Sequence, residues 1–72
     1  IDFFRKVLIP AMNDAYRDGR AGAPGYMRDP AEVIAAYEAL DGPLNDTGKR
    51  CVDVCTRCLN AAYAQGQRDA GR

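Results

Sequence analysis

The sequence predicts an all-α fold, a small three-helix bundle in which the first and third helices form an antiparallel pair bridged by the second. Apolar residues recur at helical spacing in three segments, and residues that start and stop helices separate those segments. No stretch alternates convincingly with the period of two that a half-buried strand requires. A chain of 72 residues has room for one domain, residues 1–72.

The first segment predicts a helix over about residues 2–19. Pro10 lacks a backbone N–H, so it should kink this helix or divide it into a short turn and a helix that starts at the proline. The apolar stripe of this helix consists of Phe4, Leu8, Ala11, Ala15 and Gly19. Gly22, Pro24 and Gly25 then predict a loop over residues 20–29.

The second segment carries the clearest helix boundaries. Asp29 can cap a helix that has Pro30 in its first position, and Gly42 with Pro43 stops it, which predicts a helix over residues 30–41. Its apolar residues share one face: Val33, Ile34, Tyr37 and Leu40.

The third segment predicts an amphipathic helix over about residues 47–68. Polar residues at positions 45–47 can accept hydrogen bonds from its first free amides. Its apolar face consists of Cys51, Cys55, Cys58, Ala62 and Gly66.

A partial repeat relates the first and third segments. Residues 12–19 (MNDAYRDG) align with residues 59–66 (LNAAYAQG), sharing Asn, Ala, Tyr and Gly. The two helices should therefore present equivalent faces, and their small residues would let the backbones approach closely. Tyr16 and Tyr63 should lie at the edges of these faces, with partly covered rings and hydroxyls in water.

Cys51, Cys55 and Cys58 form the only pattern to which a mechanism could be attached. Their spacing resembles the three-cysteine motif of radical SAM enzymes, which implies an iron–sulfur cluster on a barrel, but this chain is far too short for that barrel. A metal or thiol module is the third alternative, although sulfurs at these positions of a straight helix spread over about 10 Å of its axis. We expect the three cysteines to be buried packing residues against the first helix.

Composition argues against catalysis and against several partner classes. The chain has no His and no Ser, so conventional nucleophilic triads are excluded, and no cofactor is expected. The formal net charge is zero, without a basic half or tail, and no apolar run is long enough to span a membrane. Three closely spaced cysteines favour the cytoplasm over a secreted disulfide framework. The chain begins at Ile1 rather than Met, which suggests a lost leader or a fragment.

Stability considerations favour association. Burying the surface expected for 72 residues supplies on the order of 105 kcal/mol, and ordering the chain removes about 108 kcal/mol. A lone monomer would be marginal, so the leading interpretation is a small non-catalytic interaction protein. It would act as a homodimer, or as an inhibitor or adaptor of a larger assembly, by analogy with phage-encoded accessory proteins.

Two surfaces are candidates for contact with a partner. Tyr26, Met27 and Arg28 belong to the first loop and are residue types favoured at protein interfaces, although Tyr26 and Met27 could equally fold back over the bundle. The second surface, on the third helix, supports the runner-up interpretation of a nucleic-acid-associated regulator, and it consists of Arg50, Arg57 and Arg68.

Overall fold

The computed structural model describes residues 2 and 4–71. It contains a π-helical turn, Phe4–Leu8, and three α-helices: α1 (Ile9–Ala21), α2 (Pro30–Asp41) and α3 (Asp46–Ala70). No strand occurs among the described residues. The helices pack as a small bundle whose most extensive interface joins α1 and α3, so the predicted fold class is confirmed.

Pro10 lies in the first turn of α1, directly after the π-helical turn. Leu8, between the two, has helical dihedral angles (φ −71°, ψ −45°), so the backbone passes from the π-helical turn into α1 without a break. Gly22 adopts the left-handed conformation, at φ 72°, and ends α1. The last helical residue is Ala21, two residues beyond the predicted end at residue 19. Residue 3 and the side chain of Phe4, both included in the prediction, lie outside the described part.

Side-chain caps begin the other two helices. The Asp29 carboxylate accepts a hydrogen bond of 2.9 Å from the Ala31 amide, and α2 spans the predicted residues 30–41. The Asn45 side chain accepts a hydrogen bond of 2.7 Å from the Gly48 amide at the start of α3. That helix begins one residue earlier and ends two residues later than predicted.

Two glycines allow the backbones of α1 and α3 to touch. A Cβ atom placed on Gly19 would lie 2.1 Å from the carbonyl oxygen of Tyr63, and one placed on Gly66 would lie 2.1 Å from that of Tyr16. The contacts run in antiparallel order, because Tyr16 hydrogen-bonds to Asp69 whereas Gly19 lies against Tyr63. The repeat therefore corresponds to equivalent faces at these residues.

The hydroxyls of both tyrosines form hydrogen bonds within the protein, whereas the prediction placed them in water. Tyr16 donates to the carboxylate of Asp69, and Tyr63 donates to the carbonyl oxygen of Ala23 at 2.6 Å. Only 6% of Tyr63 is exposed. The close approach of the helices brings acceptors within reach of both hydroxyls, and leaving a partly buried acceptor without a donor would cost free energy.

The loop that connects α1 and α2 contacts both α1 and α3. Tyr26 in this loop donates a hydrogen bond of 2.6 Å to Asp18 of α1. Its ring stacks on that of Tyr63 of α3, with centroids 4.6 Å apart. By contrast, α2 packs mainly against α3, and none of its residues is buried.

We predict that Gly66→Ala destabilises the protein by about 2 kcal/mol. The higher helix propensity of Ala would contribute about 1 kcal/mol of stabilisation, but the new Cβ would meet backbone atoms that cannot rotate away. Urea unfolding followed by circular dichroism measures the difference. The control is Gly71→Ala, whose Cβ would lie 3.5 Å from the nearest carbonyl oxygen, an ordinary contact. Equal stability of the two variants would contradict the close approach.

Candidate functional site

An open groove runs between α2 and the N-terminal half of α3. Its volume is about 410 Å³. Its walls are largely apolar and are formed by Val33, Tyr37, Leu44, Gly48, Cys51, Val52, Cys55, Thr56 and Leu59. The hydroxyl of Thr56, one of these lining residues, donates a hydrogen bond of 2.8 Å to the Val52 carbonyl oxygen.

The second helix contributes little side-chain bulk to the groove. Of its residues only Val33 and Tyr37 line it, and the alanines at positions 31, 35, 36 and 39 are exposed. After α2, the Leu44 amide donates a hydrogen bond of 2.8 Å to the Glu38 carboxylate, which links the connection to α3 back to α2. Leu44 lies beside Gly48, and both residues line the groove.

The apolar surface continues over α2 itself. Val33 and Tyr37 also line a shallow depression of about 240 Å³ on the outer side of this helix, together with Leu40. Leu40 is 90% exposed and Tyr37 is 45% exposed. The sequence placed both residues on the face predicted to pack, and this surface was not among the predicted partner sites. The signal that could have found it is the run of alanines beside these two large residues.

The prediction that the three cysteines are buried is wrong. Cys51 is exposed, Cys55 and Cys58 are partly exposed, and all three are free thiols. The reason is their place along α3. The closest approach of α1 lies at Tyr63 and Gly66, whereas the groove over Cys51 and Cys55 is bordered by α2.

The surroundings of the Cys55 thiol favour its neutral form. Burial raises the pKa of Cys55, and the neighbouring thiols of Cys51 and Cys58 raise it further. In the described part of the chain, no cluster of three or more His, Cys, Asp or Glu residues is arranged to hold a metal ion.

Of the three loop residues predicted to contact a partner, Tyr26 packs against the bundle, whereas Met27 and Arg28 are exposed. Tyr26 folds back onto Tyr63 and Asp18, as the packing alternative expected. The backbone of Arg28 is held by two hydrogen bonds with the Asn60 side chain, at 3.2 and 2.7 Å, while its own side chain is exposed. Met27 lies between them, 56% exposed and at φ 62°, a conformation that non-glycine residues seldom adopt.

The arginine surface is dispersed and partly neutralised. Arg50, Arg57 and Arg68 are all exposed, but 18 residues of helix separate the first from the last, about 27 Å. Arg57 pairs with Asp53 at 2.9 Å, and Arg68 donates to the side chain of Gln65 at 2.8 Å. These three residues do not converge on one site.

Comparisons with known proteins add no relative to this description. No protein-family model, no curated protein and no solved structure was found to match the chain. In the described part of the chain, no helix combines the length and the apolar character needed to cross a membrane. Function is therefore inferred from the geometry of the groove and the surfaces around it.

We predict that Cys51 reacts with iodoacetamide faster than Cys55 in the native protein. Cys51 is exposed, whereas the raised pKa of Cys55 lowers the fraction of its reactive thiolate. Peptide mapping by mass spectrometry after short exposures at pH 8 gives the two rates, and unfolding in urea should remove the difference. Cys51→Ala should speed the reaction at Cys55, because one of the causes of its raised pKa is removed. Faster native labelling of Cys55 than of Cys51 would contradict this placement.

The Tyr26 phenol provides a test of the loop. Its hydrogen bond to Asp18 raises its pKa above the ordinary value of 10.0, as do desolvation and the negative charge of that carboxylate. This hydrogen bond therefore stabilises the fold fully below pH 10, and its contribution is lost as the pH rises through the raised pKa. Ultraviolet titration should show a late-ionising tyrosine, identified by its loss in Tyr26→Phe. Asp18→Asn should lower its pKa, and an unchanged titration would show that the contact is absent in solution.

Proposed function

We propose that this protein is a non-catalytic protein-binding module whose groove between α2 and α3 receives apolar side chains of a protein partner. The observation that carries this proposal is the exposure of Leu40 and Tyr37 beside an open apolar groove of about 410 Å³. Contiguous apolar surface of this kind is characteristic of interaction sites, since isolated domains seldom leave it in water.

The state of α2 supports the same proposal. It is a helix of 12 residues without a buried side chain. Helices shorter than about 12–15 residues are marginal in water unless an apolar face is packed. A partner over the groove would supply the missing packing and stabilise α2 at the same time.

The groove is poorly suited to catalysis. Its titratable groups are the phenol of Tyr37 and the thiols of Cys51 and Cys55. The raised pKa of Cys55 makes it a weak nucleophile at neutral pH, and the chain has no His that could serve as its base. Recognition by shape and apolar contact is what these side chains favour.

Site-specific photo-crosslinking tests the proposal. The photoreactive p-benzoylphenylalanine is placed at position 37 in one variant and at position 54 in another, in cells that produce the protein. Val54 is a matched control because it is 42% exposed on α3 and does not line the groove. We expect covalent protein adducts from position 37 and few from position 54. No adduct from position 37, or equal yields from both, would reject the groove as a protein-binding site.

A further inference from the structure

The molecule exposes more surface than a compact monomer of its mass. Its accessible surface is 5217 Å², whereas a typical folded protein of 7.9 kDa exposes about 4,400 Å². The excess of about 800 Å² is close to the area that one partner contributes to a standard protein–protein interface. Association through one face of this size would bring the exposed area to the ordinary range.

Large apolar side chains are exposed at several places, among them Val7, Ile9, Met27 and Val54. Leu40 is the most exposed of all, and it shares one continuous apolar face with Tyr37. Leu40 and Tyr37 project from α2, and the groove that could receive such side chains lies immediately beside them. A projection and a cleft on the same face form the self-complementary arrangement that a two-fold interface requires, because each copy offers what the other accepts.

The charges around the groove fit a second copy of the chain. Residues 30–41 of α2 carry Glu32, Glu38 and Asp41 and no basic residue. Beside the groove, the first turns of α3 carry Asp46 together with Lys49 and Arg50, and neither basic residue has an ion pair among the described residues. Two-fold pairing can place the acidic side of one copy against the basic side of the other. The zero net charge of the chain also leaves no long-range repulsion between copies.

We propose that the occupant of the groove is a second copy of this chain, bound about a two-fold axis so that Leu40 and Tyr37 of each copy enter the α2–α3 groove of the other. This inference rests on the proposed function and names its partner. It has a consequence for the thiols, since Cys51 at the groove becomes covered in the dimer and its reaction with alkylating agents slows as the protein associates.

Sedimentation velocity between 1 and 500 µM tests the dimer. Wild-type protein and the control Val54→Glu should convert from monomer to dimer across this range, with dissociation constants within threefold of each other. Leu40→Glu, which places a charge in the apolar groove, should weaken the dimer at least tenfold. Leu40→Gln repeats the test without adding charge, and circular dichroism verifies that each variant is helical. A 90% exposed side chain makes little contribution to the monomer fold, so both Leu40 variants should remain folded.

Thiol reactivity gives a second and independent measurement. The alkylation rate of Cys51 should fall severalfold between 1 and 500 µM in wild-type protein and stay constant in Leu40→Glu. A wild-type protein that is monomeric throughout the range would overturn the inference. So would a Leu40→Glu variant that dimerises as tightly as wild type, since the interface would then lie elsewhere.

The crosslinking variants separate failure of this inference from failure of the proposed function. Adducts between two copies through position 37 support both. Adducts from position 37 to a different protein only would leave the binding module standing and overturn the second copy as the occupant. The absence of any adduct from that position would overturn both.

Discussion

The direct contact between the backbones of α1 and α3 at Gly19 and Gly66 is the constraint on which the rest of the structure depends. Each glycine lies against the carbonyl group of a tyrosine on the other helix, so no side chain separates the two backbones there. The tyrosine hydroxyls of Tyr16 and Tyr63 then find acceptors around the contact. Such packing is close, but small residues remove little apolar surface from water. The buried apolar residues of the described chain are accordingly few: Leu8, Ala15 and Tyr63.

This way of packing determines where apolar surface is left over. The glycine contact engages the C-terminal turns of α3, and its N-terminal half is bordered by α2, which contributes only Val33 and Tyr37 to the lining of the groove. Cys51 and Cys55 therefore become groove residues rather than core residues. Their side chains are small and polarisable, which suits a surface that packs against apolar side chains. The proposed binding function and the proposed dimer follow from the same uncovered surface.

The loop between α1 and α2 has the opposite character, because specific polar contacts hold it. Tyr26 hydrogen-bonds to Asp18 of α1 and stacks on Tyr63 of α3. The backbone of Arg28 forms two hydrogen bonds with the Asn60 side chain. These contacts orient the entry into α2 and hold Met27 in its unusual conformation. A rigid loop beside a loosely packed helix means that changes on binding should concentrate in α2 and leave the α1–α3 pair unaltered.

The sequence by itself determined the helices and their ends. Caps such as Asp29 and Asn45, the proline at the start of α1 and the glycine after it act through hydrogen bonds and dihedral angles within a few residues, and such signals are legible without tertiary information. The repeat also identified the two glycines that meet. Only the tertiary structure decided which part of each apolar face is covered. Helical periodicity defines the side of a helix that packs, but not how far along it a neighbour extends. For this reason Leu40 and the cysteines were expected in the core, whereas Leu40 is exposed, Cys58 is partly exposed, and Cys51 and Cys55 line the groove.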